Sequence, residues 1–363
     1  MIYAYGVTVQ GTYHVKNNTV CQDAHEIVKC PNDIGIAAVA DGLGSEEHSD
    51  IASKIAVKIA TKHCAENIFD STGEEEILNV ICASFYLAQK SIEEEAQKNE
   101  HELDQYGTTL SLAVLIHDTL YYGHAGDSGI IALATDGLFI KITNQQRDDE
   151  GRVFQLNFNE EKWVFGKVDK KVASVFLATD GMYETLFPIY IRDEKVNLYV
   201  LLARFFMDNN SLHIDEIGED ATKERIEKFI CDIPDAQVND DKTVVVLVNT
   251  DIPTELQPPA YYAEPDWAEL KRKRDEAWKR EAYPNLFIDD ASKKPPFDKS
   301  SGDKNELGEP RQPAEKNVDS ELHNESNVET VNNSAEAAKT TEADPKDKNL
   351  LSKIINRIKD GGK

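Results

Sequence analysis

TTLSLAVLIHDTLYYGHAGDSGIIALATDGLFIKIT, from Thr108 to Thr143, holds four short apolar runs separated by HD, DSG and TDG. The runs are rich in Val, Ile, Leu and Tyr, which suit a pleated surface. Asp, Ser and Gly in the breaks are the residues that tight turns require. Breaks this short return the chain at once, so the stretch predicts antiparallel strands rather than parallel βαβ units.

The flanks supply the rest of the fold. Upstream, SDIASKIAVKIATKHCAENIF spaces Ile51, Ile55, Ile59 and Cys64 near a helical period, with Ser49 as a candidate N-cap. EEEILNVICASFYLAQKSIEEEAQKNE comes next as a second long helix with acids in its first turn. Further upstream, IYAYGVTVQG and DIGIAAVAD read as strands. Downstream, KKVASVFLA and TVVVLVNT read as strands, and KVNLYVLLARFFMDN and ATKERIEKFICDI as helices. Strands, two helices, a meander, helices and a closing strand predict helices packed over antiparallel sheets.

Composition shifts sharply after residue 250. Ten of the thirteen prolines lie beyond it, all five cysteines lie before it, and no aromatic residue comes after Phe297. The expected organisation is one domain over residues 1–250 and a charged helical or linker segment over 251–289. A polar, disordered linker is expected over 290–346, and a short amphipathic segment over 347–363. In that last segment Leu351, Ile354, Ile355 and Ile358 share a face opposite basic residues. A protein-docking helix, a weakly membrane-surface-seeking helix and a frayed tail all remain open for it.

The net charge of −26 falls mostly on the first 250 residues. Such a surface repels nucleic acid and anionic membrane, and clustered acids suit divalent cations. An odd cysteine count without a CxxC pair argues against disulfides or zinc. No apolar stretch reaches the ~18–20 residues of a membrane span. MIYAYGVTVQ lacks the pattern of a signal peptide, so a cytoplasmic location is expected.

LATDG occurs twice, at 133–137 and 177–181. The first copy runs on into the alternating LFIKIT, which makes Asp136-Gly137 a turn between strands. The second runs on into MYETLF, which does not alternate, leaving Asp180 at a strand end where a helix or loop begins. Asp41 in AAVADGLGS, Asp127 in GHAGDSGI and Asp240 in VNDDKTVVVLV share that setting, and Asp23 in TVCQDAHE opens the set. Carboxylates at the ends of neighbouring strands converge, and hard oxygen ligands select Mg²⁺ or Mn²⁺ over zinc.

The ordered set QDA, ADGLGS, GTTL, GDS, ATDG and DDKT resembles the metal-dependent protein phosphatases of type 2C, in particular a bacterial branch with QDA as its first motif. The resemblance covers about residues 1–250. It implies an α+β fold, a four-layer α/β/β/α sandwich of two antiparallel sheets flanked by helices. It implies two Mn²⁺ or Mg²⁺ ions, with a third, weaker one. Asp41 would bridge the two ions with help from the Gly42 carbonyl, and Asp180 and Asp240 would complete their shell. Asp23 would hold metal-bound waters, and Asp127 would serve the third ion with Glu184 near it. The implied reaction is hydrolysis of phosphoserine and phosphothreonine by a bridging hydroxide, with the ions roughly 3.5–4 Å apart. The implied partners are phosphorylated proteins, among them a kinase or regulator encoded nearby.

Four positions depart from the family pattern. Gln22 stands where glutamate is usual, Leu43 where a histidine often comes after the DG motif, and Gly129 where arginine comes after GDS. The upstream phosphate-gripping arginine has no match, and His14 and Lys16 are the nearby candidates. These losses favour a second reading, a pseudophosphatase serving as a regulatory scaffold, against which the intact Asp41, Asp180 and Asp240 count; a third, an acidic interaction protein whose aspartates are turn residues, is opposed by the ordered motif set.

Overall fold

The computed structural model describes residues 1–192 and 194–283. Its strands are β1 (Ile2–Val9), β2 (Ala24–Cys30), β3 (Ile34–Ala40), β4 (Leu110–Ile116), β5 (Thr119–Ala125), β6 (Gly129–Ala134), β7 (Phe139–Lys141), β8 (Val164–Lys167), β9 (Val172–Ala178) and β10 (Lys242–Asn249). Its helices are α1 (Thr12–Asn17), α2 (Ser49–Asn67), α3 (Glu74–Lys98), α4 (Asp180–Leu186), α5 (Val200–Met207), α6 (Asn209–Leu212), α7 (Ile214–Ile217), α8 (Glu219–Cys231) and α9 (Trp267–Ala282).

The strands form two five-stranded antiparallel sheets, ordered β1-β10-β9-β6-β7 and β2-β3-β4-β5-β8. Their inner faces meet in an apolar layer that includes Ala37, Val39, Leu115, Val175, Val245 and Leu247. One residue over, Ala38 and Val114 face α2 and α3, while Phe176 and Val246 face α4, α5 and α8. This is the expected four-layer α/β/β/α sandwich. Because both faces of each sheet are covered, strands such as IGIAAVA and KTVVVLVN are buried along their whole length, which is why they alternate poorly.

One sheet expectation needs correction. The Thr108–Thr143 stretch is two hairpins in different sheets, with β4–β5 in one and β6–β7 in the other. The DSG break is therefore a crossing between sheets rather than a surface turn. Asp127 and Ser128 are almost fully buried there, which a solvent-facing hairpin tip would not be. The TDG break is the turn expected: Gly137 adopts φ +77°, its N–H donates to the Ala134 carbonyl at 2.9 Å, and Asp136 accepts from Leu138 N.

Several elements had weak signals. β2 mixes His25, Glu26 and Lys29 into an edge strand that is largely half-buried. α1 has only six residues. Ser49 opens α2 from its first turn with His48 at the cap position, and the Ser49 hydroxyl donates to the Glu46 carbonyl at 3.0 Å.

By internal packing the described residues fall into two units. One runs from Met1 to Arg274, and the other contributes only Asp275 onward, the end of α9. The first unit thus continues past the composition shift at 250. Glu255 N donates to the Thr135 carbonyl, Gln257 Nε2 to that of Asp136, and Phe139 N to the Tyr261 hydroxyl. Trp267 packs edge-on against Tyr199 at 5.2 Å, and Leu270 is buried. The expected disordered linker at 290–346 and amphipathic segment at 347–363 lie outside the described residues, as does the end of the 251–289 segment.

Ending the chain at Thr250 should therefore cost about 2–4 kcal/mol of stability through the exposure left at Tyr199 and the β6–β7 turn. Ending it after Tyr283, which keeps the Trp267–Tyr199 contact and the hydrogen bonds of Glu255, Gln257 and Tyr261, should spare that loss. Urea denaturation of the two truncations checks this.

Candidate metal centre

Strand register brings the acidic motifs to one end of both sheets. In the second sheet Ala24 opposes Ala40, Val39 opposes Ser111, and Leu110 opposes Ala125. Asp23, Asp41 and Asp127 thus extend from the same edge. In the first sheet Ala178 opposes both Gly129 and Val244, so Asp180, Asp127 and the Asp240-Asp241 pair leave from the matching edge. Asp136 lies at the far end of β6, about 17–20 Å away at the strand rise. Its carboxylate pairs with Lys170 at 2.7 Å.

Carboxylate oxygens of Asp41, Asp127 and Asp180 lie within 4.8 Å of one another. Each is placed by its backbone. Thr109 Oγ1 accepts from Asp41 N at 2.9 Å, and Thr109 N donates to the Asp41 carbonyl at 2.8 Å. Gly42 N donates to the Gln22 carbonyl at 3.1 Å. Asp180 is the first residue of α4, with Thr179 at the cap position. Thr179 also donates its hydroxyl to Asp23 Oδ2 at 2.7 Å, so the buried Asp23 is held by the element that carries Asp180.

The two aspartates of the closing motif have different surroundings. Asp241 is buried and accepts from Gly11 N at 2.6 Å and Gln22 N at 2.7 Å, tying α1 and the QDA segment to β10. Asp240 is about half exposed and stands near enough to Asp41 and Asp180 to raise both.

Arg147 is the one arginine or lysine in contact with these carboxylates among the ion pairs of the described residues, and it reaches Asp127, Asp180 and Glu184 but not Asp41 or Asp23. Burial, then the charges of Asp23, Asp180, Asp127 and Asp240, hold the Asp41 carboxyl well above its ordinary value of 3.8. Burial and Asp241 push Asp23 up, against hydrogen bonds from Thr179 and Thr243. Burial, Asp127 and Asp240 push Asp180 up to about 7. Carboxylate oxygens gathered this closely are the donor set that suits a divalent cation such as Mg²⁺ or Mn²⁺.

The remaining candidates fall in different places. Glu184, one turn beyond Asp180, is more than half exposed at the rim, and Gln145 Nε2 donates to it at 3.4 Å. His14 is buried, with Nδ1 2.9 Å from Asp241 and Nε2 3.8 Å from Asp240, so it packs behind the closing motif. Lys16 is exposed and pairs with Asp235 at 3.2 Å. Gln22 is buried with its amide donating to Ser49 Oγ at 2.7 Å.

Arg147 gives no sign of itself in the sequence. Its guanidinium reaches Asp127 at 2.7 Å, Asp180 at 3.1 Å and Glu184 at 3.4 Å. It lies in NQQRDDE, a polar stretch that reads as a solvated loop, and nothing in its spacing marks it.

A family model described as protein phosphatase 2C matches residues 10–209. The chain belongs to that family, the metal-dependent serine/threonine protein phosphatases, whose members use Mn²⁺ or Mg²⁺. Among solved structures, a bacterial serine phosphatase bearing an arginine-to-lysine mutation matches with a TM-score of 0.50 at 14% identity, over 71% of this chain and 100% of the other. The S. agalactiae serine/threonine phosphatase matches at 0.49 and 16%, over 68% and 99%. The Mycobacterium tuberculosis serine/threonine phosphatase PstP/Ppp matches at 0.45 and 19% identity, over 68% and 98%. At these identities the first likeness speaks to the fold alone. A comparison with curated protein sequences finds no match.

The raised carboxyls set the sign of a pH effect. Between 3.8 and about 7 the folded, metal-free chain keeps a proton at Asp180 that the unfolded chain has lost. This contribution makes the metal-free protein less stable as pH rises across that window. Asp41→Asn removes one of the crowded charges. It should raise the melting temperature of EDTA-treated protein at pH 7.5 and abolish the further rise that Mn²⁺ gives wild type. Thermal melts with and without Mn²⁺ check both.

Proposed function

We propose that the chain hydrolyses phosphoserine and phosphothreonine in proteins at the strand-end carboxylates, with Asp41, Asp180 and Asp240 holding two divalent ions. The convergence of Asp41, Asp127 and Asp180 oxygens within 4.8 Å carries this reading. When bound, the ions supply a water of lowered pKa and neutralise charge on the phosphoryl oxygens. Asp41, with the Gly42 carbonyl, Asp180 and Asp240, would hold them. Asp23, oriented by the Thr179 hydroxyl, aligns solvent beside them. Asp127 and Glu184 would hold a third, weaker ion.

The chain's other groups keep this arrangement in register. Asp241 joins β10 to Gly11 and Gln22, and His14 braces it from behind. We therefore assign His14 to positioning and Lys16 to the solvated surface, rather than either to the substrate phosphate. Leu43 offers no proton, so the leaving oxygen takes its proton from outside the DG loop.

The substrates are phosphorylated proteins, with a kinase or regulator encoded nearby as the physiological partner and the cytoplasm as the compartment. No helix among the described residues is long and apolar enough to cross a membrane. A scaffold without catalysis is less well supported, because it would not require crowded, proton-raised carboxylates kept together against their repulsion.

Turnover of a phosphothreonine peptide should require Mn²⁺ or Mg²⁺ and vanish with EDTA. Asp180→Asn should reduce it at least ~100-fold, since an ion-holding carboxylate supplies several kcal/mol to the transition state. Asp136→Asn, in the identical pentapeptide at the other end of the sheet, should retain near wild-type turnover. Equal loss in both variants would sink the assignment.

A further inference from the structure

Arg147 is placed among the acids by its backbone. It pairs with Val153 across an isolated bridge, and Phe154 N donates back to the Gln146 carbonyl at 3.1 Å, closing a small hairpin. Its neighbour Gln146 fixes that hairpin to the sheet crossing. Gln146 N donates to the Gly126 carbonyl at 2.9 Å, and Gly126 N donates to Gln146 Oε1 at 3.0 Å. Gly126 directly precedes Asp127, so the backbone that sets Asp127 also sets Arg147. Beyond the bend, Asp148 Oδ1 accepts from Glu150 N and Arg152 N at 2.9 Å, and Arg152 Nε pairs with Asp148 Oδ2 at 2.8 Å. The second arginine of the hairpin is therefore directed to a local acid, and the first is left to the carboxylate cluster.

The guanidinium sits where a cation is needed. Its nitrogens contact Asp127, nearly buried, Asp180, partly exposed, and Glu184 at the rim. Two of these, Asp127 and Glu184, are the residues assigned to the weaker ion, and Asp180 links them to the main pair. A guanidinium and a divalent ion cannot both draw on the same carboxylate oxygens at full strength.

We propose that Arg147 is an internal competitor for the divalent ion at the Asp127–Asp180–Glu184 side of the site, so that this residue sets how tightly that ion binds. This rests on the proposed metal-dependent reading of the same carboxylates. The guanidinium neutralises the cluster in the metal-free protein, and an incoming ion displaces its side chain from the carboxylates. The apparent ion affinity is lowered by the fraction of molecules in which Arg147 holds the carboxylates. The device is local electrostatics acting on one side chain, whose hairpin is held at its base by Asn144 against His124 and by Gln146 against Gly126.

The test is Mn²⁺ binding itself, measured by the electron paramagnetic resonance signal of free Mn²⁺ and by calorimetry, for full-length wild type, Arg147→Ala, Arg147→Gln, Arg147→Lys and Asp41→Asn. The alanine and glutamine variants should bind the weakest ion roughly tenfold more tightly than wild type, within the usual span of coupling between sites. Arg147→Lys, which keeps the charge without the forked contact, should fall between. The EDTA-treated alanine and glutamine variants should melt below wild type, and Mn²⁺ should close that gap. Unchanged or weaker Mn²⁺ binding in both neutral variants overturns the proposal while leaving the metal site standing. Wild type that binds Mn²⁺ no better than Asp41→Asn does overturns the metal reading and the proposal together.

Discussion

Repulsion among carboxylates gathered at one end of two sheets is the constraint on which the rest of this structure depends. The register of β3 with β2 and β4, and of β9 with β6 and β10, leaves Asp23, Asp41, Asp127, Asp180 and Asp240 no other place to go. Register is fixed in turn by burial on both faces, since slipping one residue would turn Val245 and Leu247 from the inter-sheet layer towards the helices. Three apolar layers thus hold together charges that would separate if they were free. The raised carboxyls of Asp23, Asp41 and Asp180 are the visible cost of that confinement.

The chain answers the repulsion with hydroxyls, amides and one guanidinium. Thr109, Thr179 and Thr243 stand beside the acids. Thr109 serves Asp41 and Ser128, and Thr179 serves Asp23. The Asp240-Asp241 pair shows how finely position divides the work. Both lie at the bend just before β10. Asp241 turns inward to gather the amides of Gly11 and Gln22, while Asp240 stays with the open cluster.

The outline of the fold and the acidic set were legible because they rest on local pattern. Asp41, Asp127 and Asp180 each carry a strand-end signature, and the structure brings their carboxylates together. The identical LATDG copies separate because the residues after each differ in period, giving a strand beyond Asp136 and α4 from Asp180. The hidden parts depend on contacts distant in sequence. The sheet change at DSG looks like any hairpin turn until Asp127 and Ser128 are seen to be buried. The packing of residues 251–274 rests on Trp267 meeting Tyr199, and no composition count records that. Arg147 lies in a hydrophilic loop whose partners, Asp127, Asp180 and Glu184, are 20 to 37 residues away.

Gly129 and Arg147 are best understood together. The family pattern puts arginine directly after GDS, but a Cβ at Gly129 would come within 2.1 Å of the Tyr183 ring. Tyr183 is itself fixed: its ring is buried in the first sheet's helical layer, and its hydroxyl donates to the Thr143 carbonyl at 2.9 Å. An arginine at 129 would have to displace that ring, which α4 carries only three residues after Asp180. A guanidinium beside Asp127 must therefore come from elsewhere, and the hairpin that Gln146 pins to Gly126 delivers one. The arginine missing after GDS is thus matched by one from the 144–153 hairpin, set beside Asp127, Asp180 and Glu184.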